Sequence, residues 1–474
     1  MSKVLYVHAK GGPPVGYALT RVAAKAAVHL LALSELPPTV AKDAERRCAS
    51  VVLALGTPGG DGLAEAPRGD LAGARGGDLV QLITDRAREV GADAVVTFSE
   101  YAVVAVAEAS RRLGLRGAGP AAALARDKRL MRAAWQRHGI PQPRFRSVSD
   151  LAELELAAAR LSFPLLLKSA WSAGSTAHQI IGAPGEVRAA WQRSREVMAQ
   201  SALLGFAELH VAGACEDFIV EEIVSGCAEE WFDGSGWGDY VSVEGVVVDG
   251  DFRPVCLSGR MPTVAPFTER AGIVPAAVGG EAQRRIVELA RRSVDALGLA
   301  DCGTHTEIKL GADGRMSVIE TAARFGGAMT VPQIEEVFGL DLIGMFTDQL
   351  LGGSPAWPAQ ALTPGDAEGA AGCLVVLAVH ADGSPWRRRH RWDPAAVVRS
   401  APIGAGSTLA VVGESSLPDG HPVPVYDPAA GANTMAGLCL LSADRPQAVL
   451  RDFTALVEAL PAILPADVGE GVRA

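Results

Sequence analysis

The sequence predicts an α/β protein built from several subdomains, and three observations carry that prediction. Over residues 1–118, short apolar strands alternate with helical stretches, the pattern of an open parallel sheet. Over 240–257 and 304–321, apolar-alternating runs come in pairs around glycine-containing turns, the pattern of antiparallel hairpins. From 352 onward the chain changes to Pro- and Gly-rich connections between short strands, closed by a helix near 445–459. With 474 residues, 49% of them hydrophobic, the chain has apolar surface for several cores.

Taken in order, residues 3–7 read as a strand, followed by Gly11-Gly-Pro-Pro14, a helical run to about Val28 and a second strand over 29–33. A strand at 94–98 and a helix at 102–113 follow. The glycines after the first strand lack the G-x-G-x-x-G spacing, which argues against a dinucleotide site there. Leu130, Ala133, Ala134 and Arg137 give helical periodicity to a segment that stops at Gly139-Ile-Pro-Gln-Pro143, and Asp127 in its first turn suits the helix dipole. Residues 163–168 are a strand ending in Lys168, which opens into the small-residue loop Ser169-Ala-Trp-Ser-Ala-Gly-Ser-Thr176 before a strand at 179–181. Backbone N–H groups of such a loop can fold over phosphates, and a lysine at its base strengthens that reading. Phe218-Ile-Val-Glu221-Glu222-Ile-Val-Ser-Gly226 is an apolar strand that turns acidic and stops at a glycine. The chain leaving it can present backbone groups to an adenine edge and a carboxylate to a ribose.

Chemistry concentrates in the second hairpin. Glu307 and Glu320 lie thirteen residues apart, one on each apolar-alternating strand, flanking the turn Gly311-Ala-Asp-Gly314. Paired strands would set the two carboxylates side by side, where they repel unless a cation sits between them. Sparse, hard oxygen ligands suit Mg²⁺ carried in by nucleotide phosphates. Arg324 and the Gly326-Gly327 pair follow within seven residues of Glu320 and supply a rigid cationic fork and a close backbone approach, both suited to phosphate oxygens. The plain competing reading of this segment is a surface hairpin with solvated acids.

Composition excludes several classes. No apolar run of 18 residues is free of charge and no basic segment precedes an apolar stretch at Met1, so a secreted or membrane-spanning protein is not expected and a cytoplasmic one is. The seven cysteines (Cys48, Cys215, Cys227, Cys256, Cys302, Cys373, Cys439) are scattered and never in Cys-x-x-Cys spacing, which suits reduced thiols and argues against zinc. A net charge of −10 disfavours nucleic acid. The basic run Arg387–Arg391, between Trp386 and Trp392, reads as a solvated loop because nothing around it extends the patch.

Together these segments resemble an ATP-grasp ligase. The resemblance is an ordered series over residues 119–345: Asp127-Lys128 with Gly139-Ile-Pro-x-Pro143, Phe163-Pro164 with Lys168 and its loop, Val220-Glu-Glu-x-x-x-Gly226, Glu307 with Glu320, and Arg324-Phe-Gly-Gly327. Within that superfamily, Tyr240-Val-Ser-Val-Glu-Gly245 and Phe267-Thr-Glu-Arg-Ala-Gly-Ile-Val-Pro275 look most like bacterial L-amino acid ligases of the bacilysin type. The resemblance implies an N-terminal open parallel α/β domain (1–118), a connecting helical segment (119–160), a lid subdomain (161–223), a central catalytic subdomain (224–351) and a β-rich C-terminal lobe (352–474).

It also implies roles. Lys128 and Lys168 contact ATP phosphates under a lid that carries Ser172, Ser175 and Thr176; Glu221, Glu222 and the Ile223 backbone frame the adenine; Glu229 or Glu230 holds the ribose. Glu307 and Glu320 bind Mg²⁺, as a pair of ions for which Mn²⁺ can stand in. Arg324, with Arg260, stabilises the transferred phosphoryl group, while Glu269 meets the substrate's amino group beside Gly327 and Ala328. The small Ala328 and Gly272 suggest room for a large side chain. Two positions depart from the family pattern: Ala322 stands where many relatives place a metal-binding Asn, and Ala228 where the ribose carboxylate usually falls. The implied reaction joins an amino acid or analogue to an amino acid or peptide through an acyl phosphate, releasing ADP and phosphate, as in the biosynthesis of peptide antibiotics. A biotin-type carboxylase and a non-catalytic ATP-binding protein are the alternatives; a homodimer is left open.

Overall fold

The computed structural model describes residues 1–54, 76–200 and 217–467, so Cys215 lies outside the described residues. Three sheets organise it. The first has strand order β3-β2-β1-β4, all parallel, from β1 (Lys3–His8), β2 (Ala27–Ala32), β3 (Ser50–Leu53) and β4 (Ala94–Val96). Its carboxyl end faces the rest of the molecule through the loops after β1 and β4. The helix after β1 ends at Ala23 rather than near Val28. Although 23–28 is rich in good helix formers, Val28 pairs with Val4 and is buried, so sheet burial overrides local propensity.

The small sheet, order β5-β8-β6-β7, is antiparallel: β5 (Phe145–Val148), β6 (Leu165–Ser169), β7 (Gln179–Ile181) and β8 (Phe218–Glu222). This unit begins earlier than the expected 161, because Phe145–Val148 pairs with β8. Val148 and Leu154, from the strand and the helix Leu151–Ala158, share a core with Leu165 and Leu167.

The third sheet has eight strands in the order β13-β12-β9-β10-β11-β14-β16-β15. They are β9 (Tyr240–Val248), β10 (Asp251–Arg260), β11 (Ala271–Val274), β12 (Cys302–Leu310), β13 (Met316–Ala322), β14 (Ala370–Val376), β15 (Thr408–Val411) and β16 (Gly437–Ala443). Asp249 and Gly250 turn the first hairpin with φ of +51° and +88°, the left-handed pair a two-residue connection needs. The stretch from 352 onward is not a separate lobe. β11 pairs with β10 on one side and β14 on the other, so the C-terminal strands continue the central sheet, and one core runs from Trp135 and Val241 to Leu374 and Phe453.

Alternation on β9 and β12 builds the functional face. Val241, Val243 and Ile308 point into the core and are fully buried. The intervening Tyr240, Ser242, Glu244, His305, Glu307 and Lys309 take the opposite face.

Candidate active site

Glu307 and Glu320 are direct cross-strand partners, so their side chains share one face of the sheet. The register shifts immediately after Glu307, which leaves Ile319 unpaired as a bulge, a common device for aiming a side chain at a site. The Glu307 and Glu320 side chains keep 27% and 26% exposure, while the neighbouring core strands are sealed. Lys128 Nζ lies 3.2 Å from Glu320 Oε1 and donates to the Ser172 carbonyl at 2.7 Å, so one ammonium joins the hairpin to the small-residue loop. Among the described residues no three His, Cys, Asp or Glu side chains form a metal cage. A cation here would take two protein carboxylates and fill its sphere from phosphate and water, which fits Mg²⁺ chemistry. That an ammonium already sits against Glu320 supports a cationic occupant.

Lys168, at the end of β6, is buried and pairs with Glu221 Oε2 at 2.6 Å; Arg132 Nε takes the other carboxylate oxygen at 2.7 Å. Glu221 therefore does not offer its side chain to a base. Burial pushes its carboxyl up, and Arg132 and Lys168 more than reverse this, to about 2. Lys168 also shifts down despite its partner: burial dominates, and Arg132 and Lys128 add repulsion to offset Glu221. Glu222 is likewise engaged, accepting from Arg144 and from the Ser162 backbone at 2.8 Å each. The Ile223 N–H donates to the Pro164 carbonyl at 3.3 Å. Glu230 accepts from Asp313 N at 2.7 Å at the hairpin turn, and both Glu229 and Glu230 are exposed.

The loop after β6 is docked onto the C-terminal strands' side of the molecule. Ser175 Oγ donates to the Phe267 carbonyl at 3.0 Å, Asn433 Nδ2 donates to Thr176 Oγ1 at 3.0 Å, and Ala177 N to Ala429 O at 2.9 Å. Ser172 is turned inward, its Oγ on Ser169 O. Gly174, Ser175 and Ala177 adopt φ of +64°, +60° and +60°, a left-handed run unusual outside glycine.

Glu269 is half-exposed and pairs with the buried Arg260 at 2.7 Å. Arg260 spends its remaining nitrogens on the Gly259 carbonyl at 3.1 Å and Ser242 Oγ at 2.8 Å. Buried and held from three sides, Arg260 fixes the position of Glu269. Ser242 donates to Glu244 Oε1 at 2.9 Å, His305 Nδ1 lies 2.6 Å from that same oxygen, and His305 Nε2 faces Glu307 Oε1 at 3.5 Å. Burial would lower the imidazole, but Glu244 and then Glu307 push it up to about 9. The other Glu244 oxygen accepts from Gly326 N at 3.1 Å, in the loop that carries Arg324 and Gly327. Arg324 Nε pairs with Glu100 Oε2 at 2.7 Å. Gly327 lies near the Gly12 carbonyl, and Ala328 is exposed with φ +50°.

Four partners escape the sequence reading: Glu100, Arg132, Glu244 and His305. Glu244 carries a visible signal, since Tyr-Val-Ser-Val-Glu sets it on the polar side of an alternating strand. Arg132 follows Lys128 by four residues on one helix, so the two share a face, whereas Glu100 reaches the site from the N-terminal domain and carries no signal.

No protein-family model matches the chain. The alanine–anticapsin ligase of Bacillus subtilis is 36% identical over 283 residues, 59% of this chain and 58% of that protein, so the match spans little more than half of the relative. Among solved structures, the L-amino acid ligase of Bacillus licheniformis superposes with a TM-score of 0.70 at 17% identity, covering 98% of both chains. The biotin carboxylase of Campylobacter jejuni follows with a TM-score of 0.60 at 16% identity, over 95% of this chain and 89% of the other. The chain has the ATP-grasp fold, and its sequence is like that of alanine–anticapsin ligases. Ligase and carboxylase share that fold, so the chemistry must be argued from the site.

Proposed function

We propose that this chain is an ATP-dependent carboxylate–amine ligase that joins an amino acid or analogue to an amino acid or peptide, in the biosynthesis of a peptide natural product. The observation that carries it is the convergence of the Glu307–Glu320 pair with Lys128 and, through the loop Lys128 holds, with the strand bearing Lys168. The similarity to a ligase of alanine and anticapsin supports the substrate class.

A carboxylate and an amine do not condense at neutral pH, because the carboxylate has no leaving group. In the proposed reaction a carboxylate oxygen of the first substrate attacks the γ-phosphorus of ATP and ADP departs. The amine lone pair then attacks the acyl carbon, the C–O bond to phosphate breaks, and the amine loses a proton. The first step asks for alignment and charge neutralisation more than for covalent help. Lys168 and Lys128 bind phosphate oxygens, and the loop bearing Ser172, Ser175 and Thr176 covers them and excludes water, which would hydrolyse the acyl phosphate. Glu307 and Glu320 would hold Mg²⁺, which would spread the charge of the phosphate oxygens. Arg324 balances the transferred group and the later oxyanion. Glu269, oriented by Arg260, binds the ammonium of the first substrate. The ribose falls to the exposed Glu229, and the adenine to the segment around Ile223.

The test is a screen of phosphate release over pairs of amino acids and short peptides, with products weighed by mass spectrometry. An amide with stoichiometric ADP is the expected result. ADP release that depends on bicarbonate and ignores added amines would replace the ligase with a carboxylase.

A further inference from the structure

Gly11 and Gly12 look like a phosphate loop without its spacing, and the structure gives them another use. A Cβ on Gly12 would lie 2.2 Å from the Phe98 carbonyl oxygen, and one on Gly11 (φ +83°) would lie 2.8 Å from Glu100 Cβ. The missing side chains let the loop after β1 press against the loop after β4. Two hydrogen bonds fix the contact: Glu100 N donates to Gly11 O at 2.6 Å, and Ala9 N to Ser99 Oγ at 3.0 Å. The result is a carboxylate, 3% exposed, delivered from the N-terminal domain into the catalytic half of the molecule.

There it meets cations. Glu100 Oε2 lies 2.7 Å from Arg324 Nε, and Oε1 lies 3.5 Å from Arg126 Nε. Burial by itself would push this carboxyl up, but Arg324, then Arg126 and Lys128, outweigh it and hold it below its ordinary value. Glu100 is thus a poor proton acceptor, and general-base work on the amine is not its task. What it can do is fix a guanidinium. Among the described residues, Arg324 otherwise donates only to its neighbour's carbonyl, Phe325 O at 2.9 Å. A long side chain with one local contact would sample several rotamers.

We propose that Glu100 is a positioning residue for Arg324, so that the N-terminal domain completes the phosphoryl-transfer apparatus through one carboxylate seated on Gly11-Gly12. The proposal rests on the ligase reading for what Arg324 does, and not for how it is held. The experiment is a double-mutant cycle on the full chain, with ADP release measured at saturating ATP and a mixture of the twenty proteinogenic L-amino acids as probe. Glu100→Gln should lower kcat about 10- to 100-fold while leaving the KM for ATP near wild type. In an Arg324→Ala background the same change should have no further effect on kcat. Glu100→Asp keeps the charge in the buried cluster but withdraws it by one methylene, and should fall between wild type and Gln. If Glu100→Gln does not fold, the Asp variant decides, since a wild-type kcat in it overturns the proposal. Effects of Glu100→Gln and Arg324→Ala that multiply would overturn it too, because they would mean that Glu100 acts independently. If the wild-type chain releases ADP with bicarbonate and ignores amino acids, the ligase reading is what fails, and the same cycle is then read on the bicarbonate-dependent rate.

Discussion

The two charged regions that flank the site hold their charge in opposite ways. In the small sheet, Lys168, Arg132 and Glu221 form a closed set: all three side chains are at most 5% exposed, and both oxygens of Glu221 are taken. On the hairpin, Glu307 and Glu320 stay about a quarter exposed, with Lys128 and His305 only at their margins, at 3.2 and 3.5 Å. One region pairs its charges internally, though the Lys168 ammonium keeps further N–H donors for a phosphate, while the other keeps a surplus facing outward. A buried pair stripped of one member leaves an orphan charge, a fault of stability. A part-exposed carboxylate removed leaves the fold standing and takes away a ligand.

Substitutions at three positions sharpen or break that contrast. The largest effect belongs to Glu320→Ala, expected to reduce ADP formation by about 100- to 1,000-fold with an unchanged circular dichroism spectrum and melting curve. Normal turnover would remove the hairpin from the chemistry. Next is Glu221→Ala, which abandons Lys168 and Arg132 in the interior and should lower the unfolding free energy by about 3–5 kcal/mol in urea titration. The same residue predicts a pH dependence. Its carboxyl sits near 2 in the fold against about 4.5 unfolded, so its contribution is complete above 4.5 and fades as pH falls from there towards 2. Glu221→Gln should flatten that acid limb, and an identical acid profile in both proteins would contradict the closed set. The smallest effect is Asn433→Ala, which loses one hydrogen bond to Thr176 Oγ1. It should change global stability by no more than about 1 kcal/mol while speeding amide hydrogen exchange over 174–177 about fivefold. Unchanged exchange would show that this bond does not hold the loop.

The open region was legible in the sequence and the closed one largely was not, for a physical reason. Alternation around a glycine turn is local, so Glu307, Glu320 and their shared face follow from spacing alone. The ATP-grasp fold and the likeness to amino acid ligases also followed from an ordered series of short motifs. Lys168 was legible as a lysine at the base of a loop, but its partner Glu221 comes from a strand whose approach depends on tertiary packing. For the same reason Glu221 read as an adenine neighbour, since nothing local announces that Arg132 will reach it. Arg260 read only as a companion of Arg324 at the phosphoryl group, because Glu269 and Ser242 approach it only after β9, β10 and β11 have assembled. The unit boundaries near 161 and 352 shifted on the same ground: β5 and β14 each find partners far away in the chain, across Phe145–Glu221 and Gly272–Cys373.

The short strand Ala271–Val274 has a consequence for how this chain can be cut. Its backbone is laddered to Gly259 and Arg260 on one flank and to Ala371 through Leu374 on the other. A deletion or fusion joined near 352 would look tidy in a sequence alignment, yet it would strip the second flank and leave a bare row of peptide N–H and C=O groups just beyond the Arg260–Glu269 pair. Such an open edge recruits other chains. The strand beside Glu269 therefore depends on residues beyond 352 to keep its second edge covered.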